Sequence, residues 1–208
     1  MAVLAFIYRI FGLNSIKGRR RLKSRMRGVF MKKTKIINHG RSNRLTINEG
    51  TRIYNTKIEF FGDGCEVIID SGCVLKNVEI WISDKSKIEI GHNSHFAGST
   101  HLACIEGRII HIGAKCLFSN EITLRTGDSH SVVDMEGKRI NPSADIFIED
   151  HVWVGHRVII LKGAKIGHDS IIGTGALVTG KEYKPNIILA GVPAKAIREN
   201  VNWDPNLL

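Results

Sequence analysis

From Ile148 onward an aliphatic side chain returns at every sixth residue: Ile148, Val154, Ile160, Ile166, Ile172 and Val178. A second position, four residues after each of the first five, holds Val152, Val158, Ala164, Ser170 and Ala176, all small or compact. Gly155, Gly167 and Gly173 directly follow their aliphatics. A repeat at fixed stride is read before local secondary structure because it governs the whole architecture. Six matches neither the period of about 3.6 of an α-helix nor the period of 2 of an alternating strand. It fits a chain that lays down a short strand, turns and repeats, with one large aliphatic pointing inward per side and a small residue near the corner. Coils stacked in this way bury a continuous aliphatic core and contact only their neighbours.

The same stride recurs earlier in offset runs: Ile47 and Ile53; Ile69 and Leu75; Ile90, Phe96 and Leu102; Ile112, Phe118 and Leu124. The phase breaks imply loops or irregular coils, and the largest lies between Leu124 and Ile148. Residues 131–147 therefore read as an insertion, with the loop chemistry of Gly137, Asn141 and Pro142. Long excursions from a regular scaffold tend to carry function. After Val178 the stride fails: residues 180–185 read as a turn or lid, and a short helix is expected from Pro193, a residue suited to a first helical turn. The expected organisation is an arm over 1–44, a repeat domain over 45–192 with the insertion at 131–147, and a C-terminal helix and tail over 193–208.

Charge is unevenly placed. Of 30 Lys and Arg against 20 Asp and Glu in 208 residues, thirteen basic and no acidic residues fall in 1–44. The basicity thus belongs to the N-terminal arm. The arm's apolar start, Ala2 to Leu13, is about a dozen residues where spanning a bilayer needs about 20. Its positive charges follow the apolar run, the reverse of a secretory signal. The expectation is a cytoplasmic protein whose residues 1–44 either contact an anionic membrane surface peripherally or pack on the body or a neighbouring subunit. Nucleic acid is not an expected partner, since charge is clustered without a recognised motif or aromatic interleaving. Cys65, Cys73, Cys104 and Cys116 follow no metal or disulfide spacing and read as reduced, buried thiols.

Thr126-Gly127-Asp128-Ser129-His130 stands where the regular repeat gives way to the insertion, so its polar side chains can face a cleft. His130 is the candidate general base, because an imidazole can accept a hydroxyl proton and return it to a leaving thiolate. Asp128, two residues away, either orients the ring or bonds backbone in a turn. Trp153, in His151-Val152-Trp153-Val154-Gly155-His156, occupies an outward position of the repeat, where so large a side chain marks a subunit contact or a catalytic role. Its indole N–H or a nearby backbone N–H would donate to an oxyanion.

At these motifs, together with Ala190-Gly191-Val192-Pro193-Ala194-Lys195-Ala196-Ile197-Arg198, the chain resembles the hexapeptide-repeat O-acetyltransferases, in the branch of maltose, galactoside and bacterial polysaccharide or sialic acid acetyltransferases. The resemblance covers residues 45–200. It implies an all-β left-handed parallel β-helix, a homotrimer with sites between adjacent prisms, acetyl-CoA as co-substrate without a metal, and a carbohydrate hydroxyl as acceptor in surface glycan, capsule or O-antigen assembly. Carried over residue by residue, it implies CoA contacts at Trp153, His156, Thr174, Gly175, Ala176, Thr179, Lys181, Lys195 and Arg198. The last two suit CoA phosphates. The chain departs from the family pattern at Val178-Thr179-Gly180-Lys181, where the lysine is shifted by one. It departs again at Ala97-Gly98-Ser99-Thr100-His101, where sugar-acetylating relatives use an asparagine, so no acceptor contact carries over. Two other chemistries remain open from sequence: N-acetylation of a nucleotide-linked amino sugar, and a zinc enzyme of γ-carbonic-anhydrase type drawing on His92, His95, His101, His111, His151 and His156.

Overall fold

The computed structural model describes residues 14–18 and 21–208. Ser15–Lys17, Leu22–Met26 and Phe30–Lys32 each open a separate sheet, and each strand up to Ile187–Ala190 joins the sheet of the strand three places before it. Three faces of eight, eight and nine strands result, wound in the repeating order first, second, third. The strands pair in parallel except for the last, Lys195–Glu199. The architecture is a triangular parallel β-helix.

The length of one coil changes along the axis. Ile58 pairs with Ile80 and Ile80 with Leu102, a step of 22 residues, whereas Ile148 pairs with Ile166 and Ile160 with Val178, a step of 18. Eighteen is three sides of six, so only there is the stride unbroken in sequence. Two to four extra residues per earlier coil enter at the corners and slip the phase each turn. Between the two regimes Leu124 pairs with Ile160, 36 residues on, and this coil holds the insertion. The insertion closes earlier than expected, because Ile146 and Phe147 already pair with Ile110 and His111 in the second face.

Corners and core explain the repeat. At the corner from third to first face, Lys33, Asn55, Asn77, Ser99, Glu121, Arg157 and Gly175 all have φ between 39° and 73°. One left-handed residue per coil turns the chain, and asparagine tolerates that conformation better than most residues; Asn55 Nδ2 donates to Asn77 Oδ1 at 2.6 Å, tying two rungs. Inside, Ile58, Ile80, Leu102, Leu124, Ile160 and Val178 form one fully buried column, each aliphatic contributing about 1.5–3 kcal/mol by burial. Phe96 and Phe118 stack at 4.4 Å and 14° in the wider coils.

Two expectations are corrected. The basic segment is not an arm up to residue 44: from Ser15 its strands Lys35–Asn38 and Asn43–Ile47 belong to the first and second faces, with Ile36 and Leu45 in the core. Strand alternation turns the apolar residues inward and leaves Lys23, Arg25, Lys35 and Arg44 outside, so dense charge is compatible with a β-coil. The apolar start, residues 2–13, lies outside the described residues. The expected C-terminal helix is instead the strand Lys195–Glu199, antiparallel to Ile187–Ala190. Gly191, at φ 96°, reverses the chain, and the returning strand satisfies backbone groups that the last parallel strand would leave open at the edge. Among the described residues no helix is long and apolar enough to cross a membrane.

Candidate active site

The strand Ile122–Arg125 is its coil's rung of the first face, and the chain leaves the prism at the corner that follows. Thr126 is buried, its Oγ1 accepting from Ile105 N at 2.9 Å. Gly127 passes so close to the body that a Cβ there would overlap Ser143 Oγ and crowd Ile105. Asp128, Ser129 and His130 then emerge into solvent.

The insertion folds back as a small hairpin. Val133 and Arg139 form an antiparallel bridge, Ile140 N donates to Val132 O, and the Arg139 guanidinium pairs with Glu106 at 2.8 Å. Asn141 is the knot: its Nδ2 donates to Asp128 Oδ2 and to the carbonyl of His130, both at 2.8 Å, while its Oδ1 accepts from Val132 N at 2.7 Å. Lys162, from the next coil, donates to Asp128 and to Asn141 O. The Lys162 ammonium, then the Asn141 amide, hold the Asp128 carboxyl below the usual carboxylate range against a smaller cost of burial. Asp128 therefore pins the loop rather than the imidazole, and the His130 ring has no hydrogen bond or ion pair within the described chain, its backbone carbonyl being the bonded group. Neither Lys162 nor Asn141 carries a sequence signal for this role. Lys162 sits in an ordinary repeat, and Asn141 reads only as loop chemistry.

Trp153 projects from the third face, 41% exposed, between Leu117 and Ile171 in register. The tail supplies a neighbour that the sequence does not reveal: Trp203 stacks on His151 at 4.3 Å, donates Nε1–H to His151 O at 2.8 Å and lies 6.0 Å from Trp153. Asp169 accepts from both His168 and His151 at 2.7 Å. His156 and Thr174-Gly175 stack at the third-to-first corner, where Gly175 N donates to His156 O at 2.7 Å. Ala176 is buried in the core rather than presented as a surface contact. Thr179 and Lys181 lie on the first-to-second corner, one coil beyond Lys162. Lys195 and Arg198 lie exposed on the terminal strand, and Arg198 shares the register column of Trp153 through Ile171 and Ile188.

These placements divide the expected site in two. His130, Thr179 and Lys181 belong to the corner between first and second faces, whereas Trp153, Lys195 and Arg198 belong to the third face, the side of the triangle that does not meet that corner. A single prism does not bring His130 and Trp153 together. The six histidines considered for a metal are spread over all three faces and two of the corners, and no group of three or more His, Cys, Asp or Glu able to hold a metal ion occurs among the described residues.

The family model for bacterial transferase hexapeptide (six repeats) matches residues 145–180, the stretch with the unbroken stride. The chain carries the hexapeptide repeat in this stretch. It is 36% identical over 122 residues to the galactoside O-acetyltransferase of Escherichia coli K12, a match covering 58% of each chain. The matched stretch spans about half the length of the curated relatives. Likeness to solved structures is more extensive. The polySia-specific acetyltransferase NeuO superposes with a TM-score of 0.83 at 28% identity, over 93% of this chain and 89% of that one. The polysialic acid O-acetyltransferase OatWY gives 0.86 at 25% identity, over 94% and 92%. The coil is thus the left-handed β-helix of these neighbours, and the resemblance to hexapeptide-repeat O-acetyltransferases holds in both sequence and fold.

Proposed function

We propose that this hexapeptide-repeat protein is an acetyl-CoA-dependent O-acetyltransferase acting on a sugar or polysaccharide hydroxyl, with His130 as general base. The observation that carries the reading is the presentation of His130: an exposed, unbonded imidazole on a loop tied down by Asp128, Asn141 and Lys162. A base held in place yet free of partners is available to an incoming hydroxyl. The imidazole takes the hydroxyl proton as the oxygen attacks the thioester carbonyl, and the tetrahedral oxyanion accepts a hydrogen bond from the Trp153 indole or a backbone N–H beside it. Collapse breaks the C–S bond and the imidazolium returns the proton to the CoA thiolate. Holding both substrates in one groove supplies much of the rate.

The separation of His130 and Trp153 within one prism favours a homotrimer in which one subunit's His130 faces a neighbour's third face, an arrangement that closed threefold symmetry satisfies. Exposed apolar side chains on the hairpin, Val132, Val133, Met135 and Ile140, support burial of this loop against another copy. In that groove Trp153, His156, Thr174, Gly175 and Thr179 line the CoA path with Lys181, while Lys195 and Arg198 meet its phosphates. The outward cations of the N-terminal coils support a cytoplasmic protein held peripherally at an anionic membrane, in polysaccharide biosynthesis. Thiol release from acetyl-CoA, with mass spectrometry of the products from a panel of free sugars, nucleotide sugars and polysaccharides, tests the reading. His130→Ala is expected to lower turnover about 10²–10⁴-fold, and near-normal turnover would sink the assignment.

A further inference from the structure

The notch beside the His130 loop has a composition of its own. On the first face Trp81, Ala103 and Arg125 are consecutive rungs of one outward column. Their inward neighbours Ile80, Leu102 and Leu124 are buried. Adjacent strands lie about 4.8 Å apart, so the backbones that carry Trp81 and Arg125 stand roughly 10 Å apart, with only the methyl group of Ala103 on the rung between them. The small rung leaves a cavity of about 170 Å³, walled by Trp81, His101 and Arg125, floored by Ala103 and Ile105, and reaching Gly127 and Ser129. That is small beside the roughly 300–1,000 Å³ of pockets for drug-sized ligands, and suits one ring of a longer chain.

Its walls are chemically distinct. Phe61, 41% exposed, packs on Trp81 at 4.5 Å, and His39 stacks on Phe61 at 5.3 Å, so an aromatic strip leads along the prism into the notch. Arg125 spends one of its five N–H donors on Ser129 Oγ at 2.9 Å and has no acidic partner among the described residues. The carboxylates on this face have other partners: Glu79 lies 3.5 Å from both Lys57 and His101, and Glu59, the rung beyond Trp81, pairs with Lys57 and His39. A half-buried guanidinium with unused donors facing an aromatic shelf matches a planar anion attached to an apolar-faced ring.

We propose that this notch is the acceptor subsite and that it selects a sugar bearing a carboxylate. The Phe61–Trp81 shelf receives the ring, Arg125 takes the carboxylate in a fork, and the Arg125–Ser129 bond sets that ring one residue from His130. The proposal rests on the acetyltransferase reading only for what happens after binding. Binding by the full-length protein without acetyl-CoA, followed by calorimetry and tryptophan fluorescence, separates the two. Suitable probes are tetramers of sialic acid, galacturonic acid and hyaluronan, with maltotetraose as the neutral control. At least one acidic tetramer is expected to bind more tightly than maltotetraose. Arg125→Gln should weaken it about ten- to hundredfold, with partial rescue in Arg125→Lys, and the exposed Phe61→Ser and Trp81→Leu should weaken it about tenfold at an unchanged melting midpoint. In turnover assays Arg125→Gln should raise the acceptor KM while leaving the acetyl-CoA KM unchanged. Equal binding of acidic and neutral tetramers, no binding of any acidic tetramer, or wild-type affinity in folded Arg125→Gln would overturn the subsite. If instead binding follows the proposal while His130→Ala retains turnover, it is the catalytic assignment that falls.

Discussion

Asp128 looks like the orienting acid of a His–Asp pair when only its spacing from His130 is seen, yet its carboxylate belongs to Lys162 and Asn141. Because its folded pKa is depressed, chiefly by Lys162, its contribution to stability is full above the unfolded carboxylate value of about 3.9. It is lost as pH falls through the lower folded value. Melting midpoints recorded from pH 6 downward should therefore fall less for Asp128→Asn than for wild type in that acid window, with the variant less stable at pH 6. The cysteines behave as core residues. Burial pushes the Cys73 and Cys104 thiols up to about 11 and Cys116 up to about 12, and raises Cys65, so few thiolates exist near neutrality. A thiol reagent at pH 7.5 should label none of the four in the native protein and all of them after denaturation. Rapid native labelling would contradict the core packing described above.

At the scale of the element, the hairpin and the terminal strand are additions to a repeating rod, and each depends on a few local contacts. Gly127→Ala forces a methyl group onto Ser143 and Ile105, an overpacking that typically costs about 1–3 kcal/mol. Hydrogen exchange should report the loss in the loop 126–145 well before the coils. The terminal strand closes the third face at Ile187–Ala190. A chain ending at Ala194 would bare that edge, which is a template for pairing with other chains. It is expected to associate beyond its native state in light scattering, whereas Ile197→Lys, an exposed change that keeps the strand, should not.

For the whole molecule, the proposed trimer would draw His130 and Trp153 of one active site from different subunits. His130→Ala and Trp153→Ala proteins are each expected to be weak. Unfolded and refolded together, they should recover activity, because some mixed interfaces then pair an intact His130 with an intact Trp153. Recovery above the sum of the two separate preparations supports a shared site, and no recovery in mixed oligomers of native mass would place the chemistry within one prism. The charge distribution also acts at this scale. With the N-terminal coils folded into the prism, the outward Lys23, Arg25, Lys35 and Arg44 make one end of a rigid body basic, an arrangement that a flexible tail would not fix in direction.

The stride from Ile148 to Val178 is enough to determine the coil, because one buried aliphatic and one tight corner per side leave a chemical record every six residues. The exposed position of His130 at the break in that stride is legible for the same reason. The earlier coils are less legible: two to four extra residues per turn hide the period, and a run of arginine and lysine resembles an unstructured arm until strand alternation sends its apolar residues inward. The terminal strand is hidden in the sequence because Pro193 and the alanines after it satisfy helix rules locally, while the demand for a partner at an open sheet edge is not local. Residues that meet only through stacking, such as Lys162 at Asp128, Trp203 on His151, and Trp81 with Arg125 across Ala103, leave no spacing in the chain. Their proximity is set by which coil lies on which, and that only the tertiary structure decided.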